Sequence, residues 1–311
     1  MSHDDRRLDQ AARAAWLAHV GGLTQDEIAR EMGISRQAAQ RLVAQAQAAG
    51  IVKVRIDHHL AACLDLAAMM QGRFGLRRAE IAPEGTGLAG VAALAAALIE
   101  RELTRIDPII LAVGTGRTLR AAVGQMGRID CPQHRIVSLT GNIAPDGSAA
   151  YYNVLFALSE VVTARSYPLM VPVIAESASE RQALHRQPGN SRVIAMAARA
   201  DTAVIGLGDF GPQAPLLKDG FLSAGEVAAL RAQGAVGEIL GHAYDIEGRM
   251  LPLNARVASA ALPASGDALV VAVAAGKDKR PAILGALRGR RISALVTDQE
   301  TAAWLAEQAP R

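Results

Sequence analysis

Residues 23–56 read LTQDEIAREMGISRQAAQRLVAQAQAAGIVKVRI. Thr24 and Glu27 have the spacing of a capping box, in which each side chain satisfies a free amide of the other residue, so a helix is expected to start at Thr24. Ile28 and Ala29 give it a small apolar face. Met32-Gly33-Ile34 interrupts the run where a glycine can take the left-handed conformation that ends a helix, and Ser35 then caps a second one. In that second helix Ala39, Leu42, Val43 and Ala46 recur at helical spacing and are expected to face the core. Arg36, Gln37, Gln40, Arg41 and Gln45 fall on the other side. The pattern is a helix-turn-helix with an Arg/Gln outer face.

Arginine and glutamine can hydrogen-bond guanine and adenine bidentately in a major groove, and a capped helix N-terminus beside them suits a phosphate. From Met32 to Ile56 the charged residues are Arg36, Arg41, Lys53 and Arg55, with no carboxylate, although the whole chain carries only +3. Local field, rather than net charge, points to DNA. Such corners also occur as plain structure with a solvated outer face, but both flanks favour a DNA-binding head. Leu8 to Val20 has the apolar spacing of a supporting first helix that includes Trp16 and Leu17, and Val52, Val54 and Ile56 alternate as a strand does. The residues expected to meet double-stranded DNA are Thr24, Gln25, Ser35, Arg36, Gln37, Gln40 and Arg41.

The 311 residues exceed one typical domain, and the head accounts only for 1–57. Residues 58–74, with Leu60, Leu64, Ala67, Ala68 and Met69 on one side, are expected to form a connecting helix that could also pair with another subunit, leaving 75–311 as the body. Half of the chain is apolar, yet no uninterrupted stretch approaches the ~20 residues of a membrane span, so no membrane partner is expected. The first ten residues, MSHDDRRLDQ, lack the apolar core of a signal peptide, which makes the cytoplasm the expected compartment. Cys63 and Cys131 are too isolated for a disulfide framework or a zinc site, and the adjacent His58 and His59 would point apart on a helix, so neither metal nor other cofactor is expected. Aromatic residues make up 3% of the chain, too few for the stacking platforms that hold single strands; duplex DNA remains the nucleic-acid partner.

From Ile109 onward short apolar runs alternate with helical segments: IILAVG, RIVSLTG, TAVIGLG, ALVVAVAAG and ISALVTD, with helices from Leu119 and around Val154 to Arg165. That alternation implies a Rossmann-like α/β body with a largely parallel sheet and helices on both faces. In such sheets ligands bind at the carboxyl ends of the strands. There the chain places Gly114-Thr115-Gly116-Arg117-Thr118, Gly206-Leu207-Gly208-Asp209 and Ala275-Gly276-Lys277-Asp278-Lys279. Glycines allow close backbone approach, helix-start amides suit an anion, and lysine supplies charge. None of these loops matches a P-loop, and no GxGxxG follows a strand.

At these residues the whole chain resembles the SorC family of bacterial transcriptional regulators. In the head the resemblance rests on Leu23-Thr24-Gln25, Ile28-Ala29, Gly33-Ile34-Ser35-Arg36 and Ala49-Gly50-Ile51-Val52. In the body it rests on Gly116-Arg117-Thr118, Val236-Gly237-Glu238, Asp245 with Gly248, Gly276 with Lys279 before Ala286-Leu287-Arg288-Gly289, and Leu295-Val296-Thr297-Asp298 with Thr301-Ala302. The resemblance implies a body related to sugar-phosphate isomerases and glucosamine-phosphate deaminases but used for sensing, with a sugar phosphate or related polyol as effector. It puts the effector's anionic end near Gly116, Arg117, Thr118 and Lys279 and makes Glu238 an acceptor for sugar hydroxyls, while Thr115, Gly208 and Asp209, in the strand-end loops, are expected to bind the same effector. Two departures stand out. Thr140-Gly141-Asn142 replaces an Arg or Gly-Gly of some relatives, so Asn142 is expected to meet a neutral hydroxyl, and Ala274-Ala275-Gly276 replaces Ala-Gly-Gly. A singly phosphorylated ligand fits better than a bisphosphate.

The alternative is a sugar-phosphate isomerase or deaminase-like enzyme bearing a DNA-binding head. Asp209, Asp245 and Glu238 are its acid/base candidates, but the Asp-Gly-His run of the deaminases is replaced by Asp209-Phe210-Gly211-Pro212. A regulator without catalysis is therefore expected. One head spans few base pairs, which calls for a homodimer or homotetramer on a palindromic operator.

Overall fold

The computed structural model describes residues 3–49, 51–52, 59–144, 147–148, 153–212, 214–263 and 266–310. The chain divides into two compact units, Met1–His58 and His59–Arg311. No described helix is long and apolar enough to cross a membrane.

The first unit contains α1 (His3–His19), α2 (Gln25–Met32) and α3 (Arg36–Ala48). Its local signals act as their chemistry dictates. The Thr24 amide donates to Glu27 Oε2 at 2.7 Å while the Glu27 amide donates to Thr24 Oγ1 at 3.4 Å, closing the capping box. Gly33 ends α2 with φ 65°, and the Ala38 amide donates to Ser35 Oγ at 3.2 Å to start α3. Ala14, Ile28, Ala29 and Ala39 form the centre of the core, with Leu17, Leu42 and Val43 against it. Trp16, expected to support this core, is instead 59% exposed. The inward face of α1 is Ala11, Ala14 and Ala15, small residues that let α1 approach α3 too closely for an indole. Val52 packs partly against Ala11, Ala15 and Ala46, and the rest of the expected strand, 53–56, lies outside the described residues.

The second unit starts with α4 (His59–Phe74), which packs on β1 (Arg78–Ala82) and on the last helix. Cys63, Ala67 and Met70 are buried, so of the apolar positions expected to share one side only Ala67 faces inward; Leu60, Leu64 and Met69 are exposed. There follow α5 (Gly87–Leu103), β2 (Ile110–Val113), α6 (Arg117–Val123), β3 (Arg135–Ser138), α7 (Val154–Val161), β4 (Arg165–Tyr167), α8 (Ala178–Arg186), α9 (Pro188–Ala197) and β5 (Thr202–Gly206). Next come β6 (Gly208–Asp209), α10 (Pro215–Lys218), α11 (Ala224–Ala232), β7 (Ala235–Ile239) and β8 (His242–Asp245). The chain closes with β9 (Leu269–Val273), α12 (Arg280–Arg288), β10 (Ala294–Asp298) and α13 (Gln299–Glu307).

Seven parallel strands make the main sheet, in the order β1-β10-β9-β5-β2-β3-β4. Strand side chains alternate between two cores, as the pleat requires. Leu111, Val113, Val204, Val271, Val273 and Val296 face a core built with α5, α6 and α7, whereas Ala112, Ala203, Ile205, Val270, Ala272 and Leu295 face the core containing residues of α4, α9, α12 and α13. The central strands are apolar on both faces because helices cover both. The edge strands β1 and β4 went unanticipated: β1 carries Arg78 paired with Glu80 at 2.7 Å, and β4 is only Arg-Ser-Tyr.

From β2 the chain runs outward through β3 to β4, then returns to β5 on the other side of β2 before building β9 and β10. Connections leaving β2 and β5 in opposite directions open a crevice beyond their carboxyl ends. An antiparallel sheet, β6-β7-β8, carries its glutamate to that crevice.

Candidate functional site

The crevice is a cavity of about 180 Å³, a size for a small metabolite. Thr115, Gly116, Arg117, Thr118 and Leu119 line it from the β2 loop and the start of α6, and Gly206, Leu207 and Gly208 line it from the end of β5. These two loops lie close: a Cβ on Gly206 would sit 3.1 Å from the Thr115 carbonyl. Glu238 and Leu240 contribute from β7 and its turn, Ala274, Ala275 and Lys279 from the segment after β9, and Lys218, Asp219 and Phe221 from α10 and beyond.

Two sets of charged groups stand at the cavity, Lys279 with Asp209 and Glu238, and Asp219 with Arg117 and Lys218. Lys279 Nζ pairs with Asp209 Oδ2 at 2.7 Å. Burial pushes the Asp209 carboxyl up, but the hydrogen bond and charge of Lys279, with the Gly211 amide, outweigh it and hold the group below its ordinary value. Glu238 is shifted the other way. Burial dominates and raises its carboxyl, against the pull of the Gly241 amide, which donates to Oε2 at 2.6 Å, and of Lys279. Gly208 faces Glu238 across the β6–β7 pair, and a Cβ there would overlap the Glu238 carboxyl. Partial burial likewise raises Asp219, with Arg117 and Lys218 pulling it down. The arrangement offers an anion three cations, Arg117, Lys218 and Lys279, and offers hydroxyl groups a buried carboxyl that accepts or, when protonated, donates.

Of the body residues expected in the site, Thr115, Gly116, Arg117, Thr118, Gly208, Glu238 and Lys279 line the cavity together, and Asp209 stands behind Lys279. Asn142 does not line it. Its Nδ2 donates to the Leu169 carbonyl at 3.1 Å and its Oδ1 accepts from Asn153 at 2.9 Å, so the side chain is spent on tying loops together. Thr140, two residues earlier, lines the wall instead. The Gly276 amide is also committed, donating to Asp298 Oδ2 at 2.7 Å, which pins that loop to the start of α13.

Leu240 was not singled out by sequence. It and Gly241 form the two-residue turn between β7 and β8 with φ 55° and 86°, the double left-handed geometry of a tight hairpin. Glycine takes this without penalty, but leucine does not. The Glu238–Gly241 hydrogen bond and the packing of Leu240 near Gly114 hold it there. An Asn-Gly pair would have signalled the turn; Leu-Gly does not.

In the first unit, Thr24, Gln25, Ser35, Arg36, Gln37, Gln40 and Arg41 are all exposed, and Gln45 is half-buried. Arg36 Nε lies 3.6 Å from Asp26 across the turn, an exposed pair of little strength that leaves the guanidinium available. Arg41 Nε donates to the Gln37 carbonyl at 3.4 Å along the same helix. The outer face of α3 is thus a row of Arg and Gln beginning at a capped N-terminus.

Residues 58–307 match the Sugar-bind model, described as a sugar-binding domain, and residues 10–59 match the MarR family. The erythritol catabolism regulatory protein EryD of Brucella abortus (strain 2308) is 36% identical over 298 residues, 94% of each chain. The transcriptional regulator LsrR of Escherichia coli (strain K12) is 31% identical, covering 95% of this chain and 93% of that one. Among solved structures, the full-length sorbitol operon regulator SorC from Klebsiella pneumoniae superposes with a TM-score of 0.73 at 26% identity, covering 98% of this chain and all of that one. Head, cavity and whole-length likeness agree: the chain belongs to the SorC family of sugar-binding transcriptional regulators.

Proposed function

We propose that the chain is a cytoplasmic regulator of a carbohydrate catabolic operon, working as a homodimer or homotetramer, whose operator affinity is set by a short polyol or its monophosphate bound beyond β2 and β5. The observation that carries this reading is the gathering of Arg117, Lys218 and Lys279 around one small cavity that also holds the buried Glu238 carboxyl. Cations suit one phosphate, and Glu238 suits hydroxyls. The likeness to an erythritol catabolism regulator favours a four-carbon polyol. Mechanistically, effector and operator are linked: a ligand that prefers one arrangement of subunits changes DNA affinity by the same factor that DNA changes its own.

Catalysis is not part of this reading, because the similar proteins are transcriptional regulators and each acid/base candidate already has a hydrogen-bond partner, Glu238 among them while it remains able to meet a ligand hydroxyl. Asp209 is paired with Lys279, Glu238 is held by the Gly241 amide, and Asp245 accepts from the Glu247 and Arg249 amides at 2.9 Å and from Arg249 Nε at 2.8 Å. Titrating the full chain with erythritol and with erythritol 4-phosphate, by calorimetry and by fluorescence anisotropy on operator DNA, tests the proposal. A ligand at a hundred times its Kd should stabilise the protein by about 2.7 kcal/mol and shift operator affinity. Turnover of either compound, or binding without any change in DNA affinity, would overturn it.

A further inference from the structure

Lys279 and the residue after it face opposite ways. Lys279 reaches the cavity and pairs with Asp209, whereas Arg280, the first residue of α12, turns to α13. There its guanidinium carbon lies 6.0 Å from the centre of the Trp304 ring, and Nη2 lies 3.7 Å from Glu300 Oε2. The other end of the same segment is also tied to α13. The Gly276 amide donates to Asp298 Oδ2 at 2.7 Å and to Thr301 Oγ1 at 3.2 Å, and Asp298 caps α13 by accepting from the Thr301 amide at 2.7 Å. Lys279 is therefore carried on a short bridge, Gly276 to Arg280, with both ends resting on α13.

From α13 the ties continue to α4, the helix that follows the head in the chain. Near the starts of the two helices Cys63 Sγ donates to Gln299 Oε1 at 3.5 Å, and near their ends Arg73 Nε donates to the Gln308 carbonyl at 2.7 Å. The helices thus run side by side in one direction, and a displacement of α13 acts on α4 along its length.

Arg280 is the adjustable joint of this connection. Among the described residues its ion pair is with Glu300, itself 72% exposed, and its Nε is buried without a hydrogen-bond partner. A guanidinium held mainly over an aromatic face can shift across it, unlike one fixed by a bidentate carboxylate. An anion that draws Lys279 from Asp209 pulls on the bridge, and packed helices answer such a pull by shifts of about 1–2 Å between discrete arrangements.

We infer that Arg280 is a positioning residue for the effector response: standing between Lys279 and α13, it transmits occupancy of the cavity to α4 and so to the operator affinity of the head. This rests on the reading of the cavity as an effector site.

The test uses the full-length protein. Operator affinity is measured by anisotropy with and without saturating erythritol 4-phosphate, and the ratio of the two values is the coupling; calorimetry gives effector affinity and a melt gives stability. In Arg280→Met the ratio should fall about fivefold or more toward one, while effector affinity and effector-free operator affinity stay within about threefold of wild type. Arg280→Lys keeps a cation over Trp304 and should hold the wild-type ratio within about threefold. Gln299→Ala, which releases Cys63 of α4, should lower the ratio as well, and the double variant should lose less than the product of the two single losses because both act on one connection. A merely structural arginine would give a lowered melting temperature with an unchanged ratio. That ratio in Arg280→Met overturns the inference, as does a tenfold loss of effector affinity, which would make Arg280 a ligand contact. An unchanged ratio in Gln299→Ala overturns it too, whether or not Arg280→Met folds. Absence of effector binding by wild type overturns the effector site itself, and the role of Arg280 with it.

Discussion

Lys279 Nζ lies 2.7 Å from Asp209 Oδ2, and the two side chains are 20% and 14% exposed. The pair staples the segment after β9 to β6, adding an ion pair to the packing that joins the parallel sheet to the small antiparallel sheet at the cavity. An anionic effector has to compete with Asp209 for this lysine. Lys279→Met should therefore abolish the effector response while leaving effector-free operator binding intact, and should destabilise the protein by about 1–3 kcal/mol because Asp209 loses its cation. Asp209→Asn removes the competitor and is expected to tighten erythritol 4-phosphate binding several-fold. Calorimetry and anisotropy on the two variants check this; a normal effector response in Lys279→Met would exclude the lysine from the site.

Gly208 has a different task. Glu238 lies against its Cα, and any Cβ there would overlap the Glu238 carboxyl. Gly208→Ala must displace that carboxyl from the Gly241 amide and with it the strained turn at Leu240. Effector affinity is expected to fall at least tenfold, with operator binding by α3 unchanged. Retention of wild-type effector affinity would show that Glu238 does not contact the ligand.

Much of this was legible in the residues because it is governed by local rules. Thr24, Glu27, Gly33 and Ser35 mark the helix-turn-helix through capping chemistry that needs no tertiary context, and the central strands declare themselves by apolar runs covered on both faces. What escaped depends on packing. Trp16 has helical spacing on either side of α1, and only the close approach of alanines to α3 decides which face turns in. Thr140 and Asn142 are two apart in one loop, and which of them reaches the cavity depends on Asn153 and Leu169 capturing the amide. Leu240 is invisible for a related reason, since a left-handed leucine is stabilised only by neighbours distant in sequence.

The carboxyls of Glu238 and Asp209 are shifted in opposite directions, which separates them by pH. Burial raises Glu238 above 4.5, so the folded state holds its proton more tightly than the unfolded chain. Its charged form is then a cost that is absent below 4.5, grows as pH rises through the interval up to the raised value, and is constant above it. Asp209 behaves inversely. Burial works against it but Lys279 prevails, so its contribution is complete above 3.8 and lost as pH falls through the depressed value. Melting temperature followed from pH 3 to 8 should accordingly begin to decline above pH 4.5 in wild type, and Glu238→Gln, which cannot titrate, should lack that decline. An identical profile in Glu238→Gln would assign the decline to another group.

Ser35 combines two roles that one pair of substitutions can separate. Its Oγ accepts from the Ala38 amide at 3.2 Å and so starts α3, and it stands beside Arg36 where a DNA phosphate would approach the helix N-terminus. Alanine removes the cap at a cost of about 1 kcal/mol, which should speed hydrogen exchange of the first α3 amides roughly fivefold and weaken operator binding with it. Aspartate caps as well as serine and favours the helix dipole, so exchange should remain at the wild-type rate. Its negative charge nevertheless repels the phosphate, and operator affinity should fall at least tenfold, with the loss greatest at low salt where the electrostatic term is largest. Wild-type operator binding by Ser35→Asp would mean that α3 does not present its N-terminus to the DNA backbone.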